Sequence, residues 1–158
     1  MQASAAPRIG ALALLAFTLA AGATSQRSEG LVAQKQVGPL VYYTGTVVLT
    51  GSVERWTDKE TLELTGDNLC FAPEGASALL VPREADARVP WFCFSNKATA
   101  ARALGFPART AKTSCGYRAV ATVVVGNYVV NRQESEVSDM ASLLSVKARG
   151  ALEAIPCQ

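Results

Sequence analysis

The sequence contains no histidine, and this absence excludes several kinds of chemistry. A serine or cysteine nucleophile activated by an imidazole base cannot be assembled, and neither can a zinc site that depends on histidine ligands. Charge switching by an imidazole near neutral pH is excluded for the same reason. Catalytic roles are then left to other groups, above all carboxylates and thiols.

The sequence also lacks the common motifs of hydrolases and nucleotide-binding proteins. There is no phosphate-binding glycine loop, no Gly-x-Ser-x-Gly turn, and no lysine three residues after a serine or threonine. Four carboxylates, Glu60, Glu63, Glu134 and Glu136, would in principle suit the acid and base pair of a glycosidase. Each lies beside turn or polar residues, where solvated surface charge is the ordinary explanation. We therefore expect a protein that is not an enzyme and that has no cofactor or metal.

Long apolar runs are scarce, and the only one lies near the N-terminus, from Ile9 to Ala21. It follows Arg8 and precedes the small residues Ala21 to Ala23, a pattern typical of a cleavable secretory signal, and it is shorter than the roughly 20 residues of a membrane span. The alternative, an amphipathic N-terminal helix, would need alanine and glycine as its polar face. The sequence predicts a signal peptide over 1–23, a flexible mature N-terminus over 24–38, and one domain over 39–158 with no membrane span. The location would be periplasmic in a Gram-negative bacterium and otherwise secreted.

The cysteines form an even set, as is typical of an exported protein with disulfide bonds. A four-thiolate metal site is the competing interpretation, but such sites usually have closely spaced pairs of cysteines. The same wide spacing argues against redox activity. Among the three possible pairings we favour Cys70 with Cys93 and Cys115 with Cys157, because the first pair lies on consecutive candidate strands.

Period-two alternation predicts a mainly β fold. From Val41 to Val53 the odd positions are apolar or glycine and several even ones are Thr or Ser, which predicts a long strand bent at Gly45 and Gly51. Further strands are expected at 61–64 with 69–71, and at 89–94. A short helix is expected over 96–104, with Ser95 as its N-cap and Gly105 at its end.

The C-terminal third predicts further β structure and a second helix. The segments 117–125 and 128–132 suit either a hairpin turning at Gly126 and Asn127 or one long strand with a glycine bulge, and we favour the hairpin. For 138–146, Ser138 and the apolar positions Met140, Leu143 and Leu144 favour a short helix.

This order of strand, strand, strand, short helix, strand and strand resembles an oligonucleotide/oligosaccharide-binding (OB) barrel. The resemblance covers residues 40–133 and rests on element order rather than on a motif. It implies a small β-barrel with one or two short helices, to which the cysteines add disulfide bonds. Other small mixed barrels would fit the same order, and the resemblance assigns no functional residues.

Charge is segregated along the chain. Residues 54–86 hold eight acids and three bases, whereas residues 87–133 hold seven bases and no acid. Such segregation can give a small domain one basic face, although charges scattered over a solvated surface are the simpler explanation. The hypothesis is a binding module for an anionic envelope ligand, such as a glycan, a lipid headgroup or an acidic protein surface, at Lys97, Arg102, Arg109, Lys112 and Arg118. Nucleic acid is disfavoured, because few aromatic residues accompany these bases.

A second hypothesis is an inhibitor or assembly factor that binds another envelope protein. Its hallmark would be an exposed apolar patch. Trp56, which ends the first predicted strand beside a polar turn, is the candidate residue, although it could instead close the end of a barrel. The sequence leaves the oligomeric state open.

Overall fold

A computed structural model of the chain describes residues 30–82, 88–107, 114–133 and 138–157. Strands make up 58% of these residues, with three short helices, so the predicted mainly β class is confirmed. The predicted signal peptide lies outside the described residues, as do Arg109, Lys112, Glu134 and Glu136. No helix in the described ranges has the length and apolar character needed to cross a membrane.

The structure contains seven strands, two α-helices and one 3₁₀ helix within the described residues. In chain order these are β1 (Leu31–Val37), β2 (Leu40–Trp56), α1 (Lys59–Thr65), β3 (Leu69–Pro73), the 3₁₀ helix (Gly75–Leu80), β4 (Phe92–Phe94), α2 (Lys97–Ala103), β5 (Ser114–Asn131), β6 (Asp139–Arg149) and β7 (Glu153–Pro156).

The alternation expected in the first long strand is present in β2. Val41, Val47, Leu49 and Val53 are buried, while the even positions between them are exposed or half-buried. Gly45 has φ of 93° and lies where the pairing of β2 with β5 shifts register, as expected for a bulge that a residue with a side chain would strain. The strand therefore has one face toward the core and one toward solvent.

The seven strands form a sheet in the order β1-β2-β3-β4-β6-β5-β7, and β2 also pairs with β5. All neighbouring strands are antiparallel except β4 and β6, which are parallel. The pairings therefore run from β2 through β3, β4, β6 and β5 and return to β2, while β1 and β7 pair outside this circuit.

The core lies on the inner face of this circuit. Phe71 stacks on Phe92 with ring centroids 5.4 Å apart, and Phe92 meets Tyr128 edge to face at the same distance. Helix α2 adds Ala100, which is fully buried, and Leu104 is fully buried just after it. Removing such side chains from water is the main driving force for folding.

Both predicted disulfides are confirmed. Cys70 is bonded to Cys93 and Cys115 to Cys157, and no cysteine among the described residues is free. The first bond joins directly opposed residues of β3 and β4.

Two predicted elements are of the wrong type. The segment 61–64, expected to be a strand, belongs to α1, which begins after Asp58; the Asp58 carboxylate accepts a hydrogen bond from the Thr61 backbone N–H at 2.8 Å. The segment 138–146, expected to be a helix, belongs mostly to β6, where Asp139, Ala141 and Leu143 alternate toward the core. In α1 the local signals, the Asp58 cap and the helix-forming residues Lys, Glu and Leu, favour the helix, whereas in 138–146 pairing with other strands outweighs local propensity.

The favoured hairpin at Gly126 and Asn127 is also wrong. Strand β5 runs through both residues, with a register shift against β6 at this point, so the alternative of one long strand with a bulge is the correct one. Helix α2 is confirmed, but its N-cap is Asn96 rather than Ser95. The described end of the segment predicted to be flexible, 31–37, forms β1, because its backbone pairs with β2.

Candidate functional site

A groove of about 550 Å³ lies over the outer face of β2 and β3. Strand β2 contributes Ser52, Glu54 and Trp56, and β3 contributes Cys70 and Ala72 with part of Phe71. The walls come from connecting segments, namely Leu64 of α1, Asn68 after it, Trp91 before β4, and Ser138 before β6.

The β2 side chains of the groove point outward because their odd-numbered neighbours point inward. Val53 is fully buried, so Ser52 and Glu54 on either side of it face away from the core. In the register between the two strands, Ser52 lies opposite Ala72 and Glu54 opposite Cys70. The alternation that builds the core therefore also builds the floor of the groove.

The Cys70–Cys93 disulfide is part of that floor. Phe71 and Phe92, which are adjacent to the two cysteines in sequence, are fully buried on the inner face. The disulfide therefore bridges β3 and β4 on the opposite, outer face, and Cys70 lines the groove. The bond holds the two strands in the register that the groove requires.

The groove contains both tryptophans of the chain. Trp56 is half-buried at the end of β2, where the next backbone N–H, that of Thr57, donates to the Cys115 carbonyl at 2.9 Å. Trp91 is 36% exposed and Leu64 is 83% exposed. Large apolar side chains gathered around a concavity are typical of a surface that binds another molecule.

Among the described residues that line the groove, Glu54 is the only charged one. Arg118 lies directly opposite it on β5, but its Nε donates to Glu153 at 3.1 Å. Within the described ranges, no ion pair joins Glu54 to a lysine or arginine. The described lining therefore combines three large apolar side chains, those of Trp56, Leu64 and Trp91, with one carboxylate.

Of the basic residues predicted to bind an anion, Lys97 and Arg102 lie on α2 and Arg118 lies on β5, and two of these three form ion pairs. The Nζ of Lys97, at the start of α2, lies 2.8 Å from an Asp67 carboxylate oxygen, and Arg118 pairs with Glu153 on β7. Arg102 lies in the last turn of α2, while Arg109 and Lys112 are outside the described residues. None of the three described bases lines the groove.

The Lys97–Asp67 pair changes the pKa of the Asp67 carboxyl. The hydrogen bond from Lys97 holds the pKa of the Asp67 carboxyl below its usual value, partial burial opposes this, and the charges of Lys97 and Arg55 add to the lowering. Exposed ion pairs of this kind contribute about 0.2 to 1 kcal/mol each. The positive charges of Lys97 and Arg118 are therefore partly neutralised by carboxylates of the same chain.

The sequence analysis identified one groove residue, Trp56, and missed the other two large apolar residues of the groove, Leu64 and Trp91. Leu64 and Trp91 fall in the segments 61–64 and 89–94, which the sequence analysis treated only as strands. The available signal was that both tryptophans fall beside turns, outside the most regular apolar alternation. The described part of the chain holds no cluster of three or more acidic or cysteine side chains able to bind a metal.

Comparison of the chain with protein-family models, with curated proteins and with solved structures found no match.

Proposed function

We propose that this protein is a non-catalytic binding module that recognises another protein through the groove over β2 and β3. The observation that carries the proposal is the presence of both tryptophans and a highly exposed leucine around one concavity. Tryptophan is enriched among the residues that dominate binding energy at protein interfaces. An inhibitor or an assembly factor would use such a surface.

We also propose that the sheet is a small barrel with OB-like order. The circuit of pairings through β2, β3, β4, β6 and β5, with one parallel pair and with α2 between β4 and β5, supports this. OB barrels bind ligands on strands 2 and 3 and on the loops that join strands 1 to 2 and 4 to 5. The corresponding parts here are β3 with β4, the segment 57–68, and the segment before β6, which together supply most of the groove.

Export remains part of the proposal. The two disulfides are consistent with an oxidising compartment. Mass spectrometry of the native protein should find a chain that begins at Thr24. A native chain that retains Met1 would contradict the predicted cleavage.

The test of the binding proposal uses two exposed leucines as a matched pair. Leu64→Ser removes an apolar side chain from the groove, and Leu79→Ser removes a similarly exposed one, 87% against 83%, outside it. Photocrosslinking in cells, with the reactive group at Ser138 on the groove wall so that both tryptophans are kept, should capture a partner with the otherwise unchanged protein and with Leu79→Ser, and much less with Leu64→Ser. Equal capture by both variants would contradict the groove as the site.

The anionic-ligand hypothesis stays a prediction with its own test. Its support is the segregation of charge along the sequence, and the ion pairs of Lys97 and Arg118 reduce the positive charge available. If it is right, changing Lys97, Arg102 and Arg109 together to glutamate should abolish binding to vesicles that contain anionic lipid or to an anionic glycan. Binding that survives this reversal would rule the hypothesis out.

A further inference from the structure

We propose that the occupant of the groove is an apolar peptide segment of the partner that carries one lysine or arginine, whose charge pairs with Glu54. This inference rests on the proposed binding function and adds the chemistry of the ligand.

The charge argument begins with the position of Glu54. It is half-buried on the groove floor, between Ser52 and Trp56 on the same face of β2. A ligand that covers this face takes the carboxylate further out of water, which is costly unless a positive group or several donors replace the lost solvent. A ligand with a negative charge would add repulsion to that cost. The groove therefore selects for a basic group at this point.

No lysine or arginine is found among the described residues that line the groove. Arg118 is the cross-strand neighbour, and its guanidinium is hydrogen-bonded to Glu153. Lys97 is hydrogen-bonded to both the backbone carbonyl and the carboxylate of Asp67. The complementary charge is then best supplied by the ligand.

The large apolar side chains around Glu54 favour a lysine or arginine within an apolar segment as the source of the basic group. Both side chains have long apolar stems that pack along aromatic surfaces while the charged end reaches a polar partner. A cation near the face of a tryptophan also gains a favourable electrostatic interaction. Trp56 is the next outward residue after Glu54, and Leu64 and Trp91 remain for the apolar neighbours of the basic residue.

The strand pairing indicates how the segment would bind. Strand β3 is hydrogen-bonded to β2 along its length, and Cys70 and Phe71 also pair with β4, so the floor at Glu54 and Cys70 has no open strand edge. Recognition by addition of a strand is therefore excluded at this site. The segment must be held by its side chains, and replacement of single side chains should have large effects.

The experiment is selection of phage-displayed 12-residue peptides on the disulfide-bonded mature protein. Selected peptides should be enriched in one lysine or arginine flanked by apolar residues. For the tightest of them, made synthetically, Glu54→Gln should weaken binding about tenfold, because a hydrogen bond between two charged groups is replaced by one between the charged peptide group and a neutral amide. Glu74→Gln, the same change at an exposed carboxylate outside the groove, should leave affinity unchanged. Glu54→Lys should bind the peptide in which the basic residue is changed to glutamate.

The outcomes separate this inference from the proposed function. If the selected peptides lack a basic residue but bind Leu64→Ser more weakly than the wild type, the proposed role of Glu54 is wrong. The groove would still be a protein-binding site. A second outcome is that no peptide is enriched, while a neutral oligosaccharide from an array binds the wild type and loses affinity with Leu64→Ser. The groove would then bind a sugar, and the proposal of a peptide ligand would be wrong. If the ligands bind Leu64→Ser and Trp56→Ala with the same affinity as the wild type, both the role of Glu54 and the groove as the binding site are wrong.

Discussion

Asp139 is a fully buried carboxylate on the inner face of the sheet, where few charged groups are found. It accepts a hydrogen bond from the Tyr128 hydroxyl at 2.9 Å and another from the Asn131 backbone N–H at 3.0 Å. The two bonds tie the start of β6 to the end of β5. This pairing also satisfies the hydroxyl of Tyr128, the largest fully buried side chain in the described core.

Tyr128→Phe should lower the free energy of unfolding by about 1 to 3 kcal/mol, because it removes a donor from a buried oxygen while keeping the ring. Tyr43→Phe is the matched control, since Tyr43 packs edge to face on Tyr128 with centroids 6.5 Å apart and is only half-buried. Its effect should stay within about 0.5 kcal/mol. Urea unfolding of both variants measures the difference, and equal stabilities would show that the hydrogen bond adds nothing.

Strand β2 was predictable because its pattern is local. Its buried and exposed positions alternate along one continuous segment, and the packing of the core follows that alternation. Strand β6 was not predictable, because a buried aspartate occupies one of its inward positions and hides the apolar alternation. Its type is decided by pairing with β5, which directly precedes it in the chain, and with β4, which lies far away in sequence.

The groove was predictable only in part for the same reason. Trp56 follows directly from the end of β2, but Leu64 was assigned to a strand that is in fact α1. Trp91 reaches the groove because β4 pairs with β3, and that register is fixed by the Cys70–Cys93 bond. When the pairing register of neighbouring strands decides which residues meet in a site, the site cannot be predicted from the sequence before that register is known.

The pairing of β2 with β3 depends on the absence of a side chain at Gly51. A Cβ added there would lie 2.7 Å from the Cα of Pro73, closer than packed atoms allow. Gly51→Ala should therefore destabilise the protein by about 1 to 3 kcal/mol through displacement of β3. Gly150→Ala, whose added carbon would lie 3.4 Å from the Val120 carbonyl oxygen, should change stability by less than about 1 kcal/mol. Thermal unfolding compares the two, and a harmless Gly51→Ala would contradict the close approach.

The two disulfides hold different parts of the molecule. Cys70–Cys93 crosses the groove floor within the circuit of strands, whereas Cys115–Cys157 joins the start of β5 to the chain end beyond β7. They span 23 and 42 residues of sequence. In the chain-entropy model each stabilises the fold by about 3 to 4 kcal/mol, since both restrict the unfolded chain to a similar degree.

Their effects on binding should therefore differ while their effects on stability are alike. Replacing either pair by alanine should lower the free energy of unfolding by about 3 to 4 kcal/mol, measured with denaturant under oxidising conditions. At a temperature where both variants remain folded, the Cys115 and Cys157 variant should weaken binding of the selected peptide only slightly, because Cys115 meets the groove through a backbone hydrogen bond beside Trp56 and does not line it. The Cys70 and Cys93 variant should bind more weakly, because β3 and β4 can then move apart beneath the ligand. A folded Cys115 and Cys157 variant that no longer binds would show that the groove depends on the outer strands as much as on its own floor.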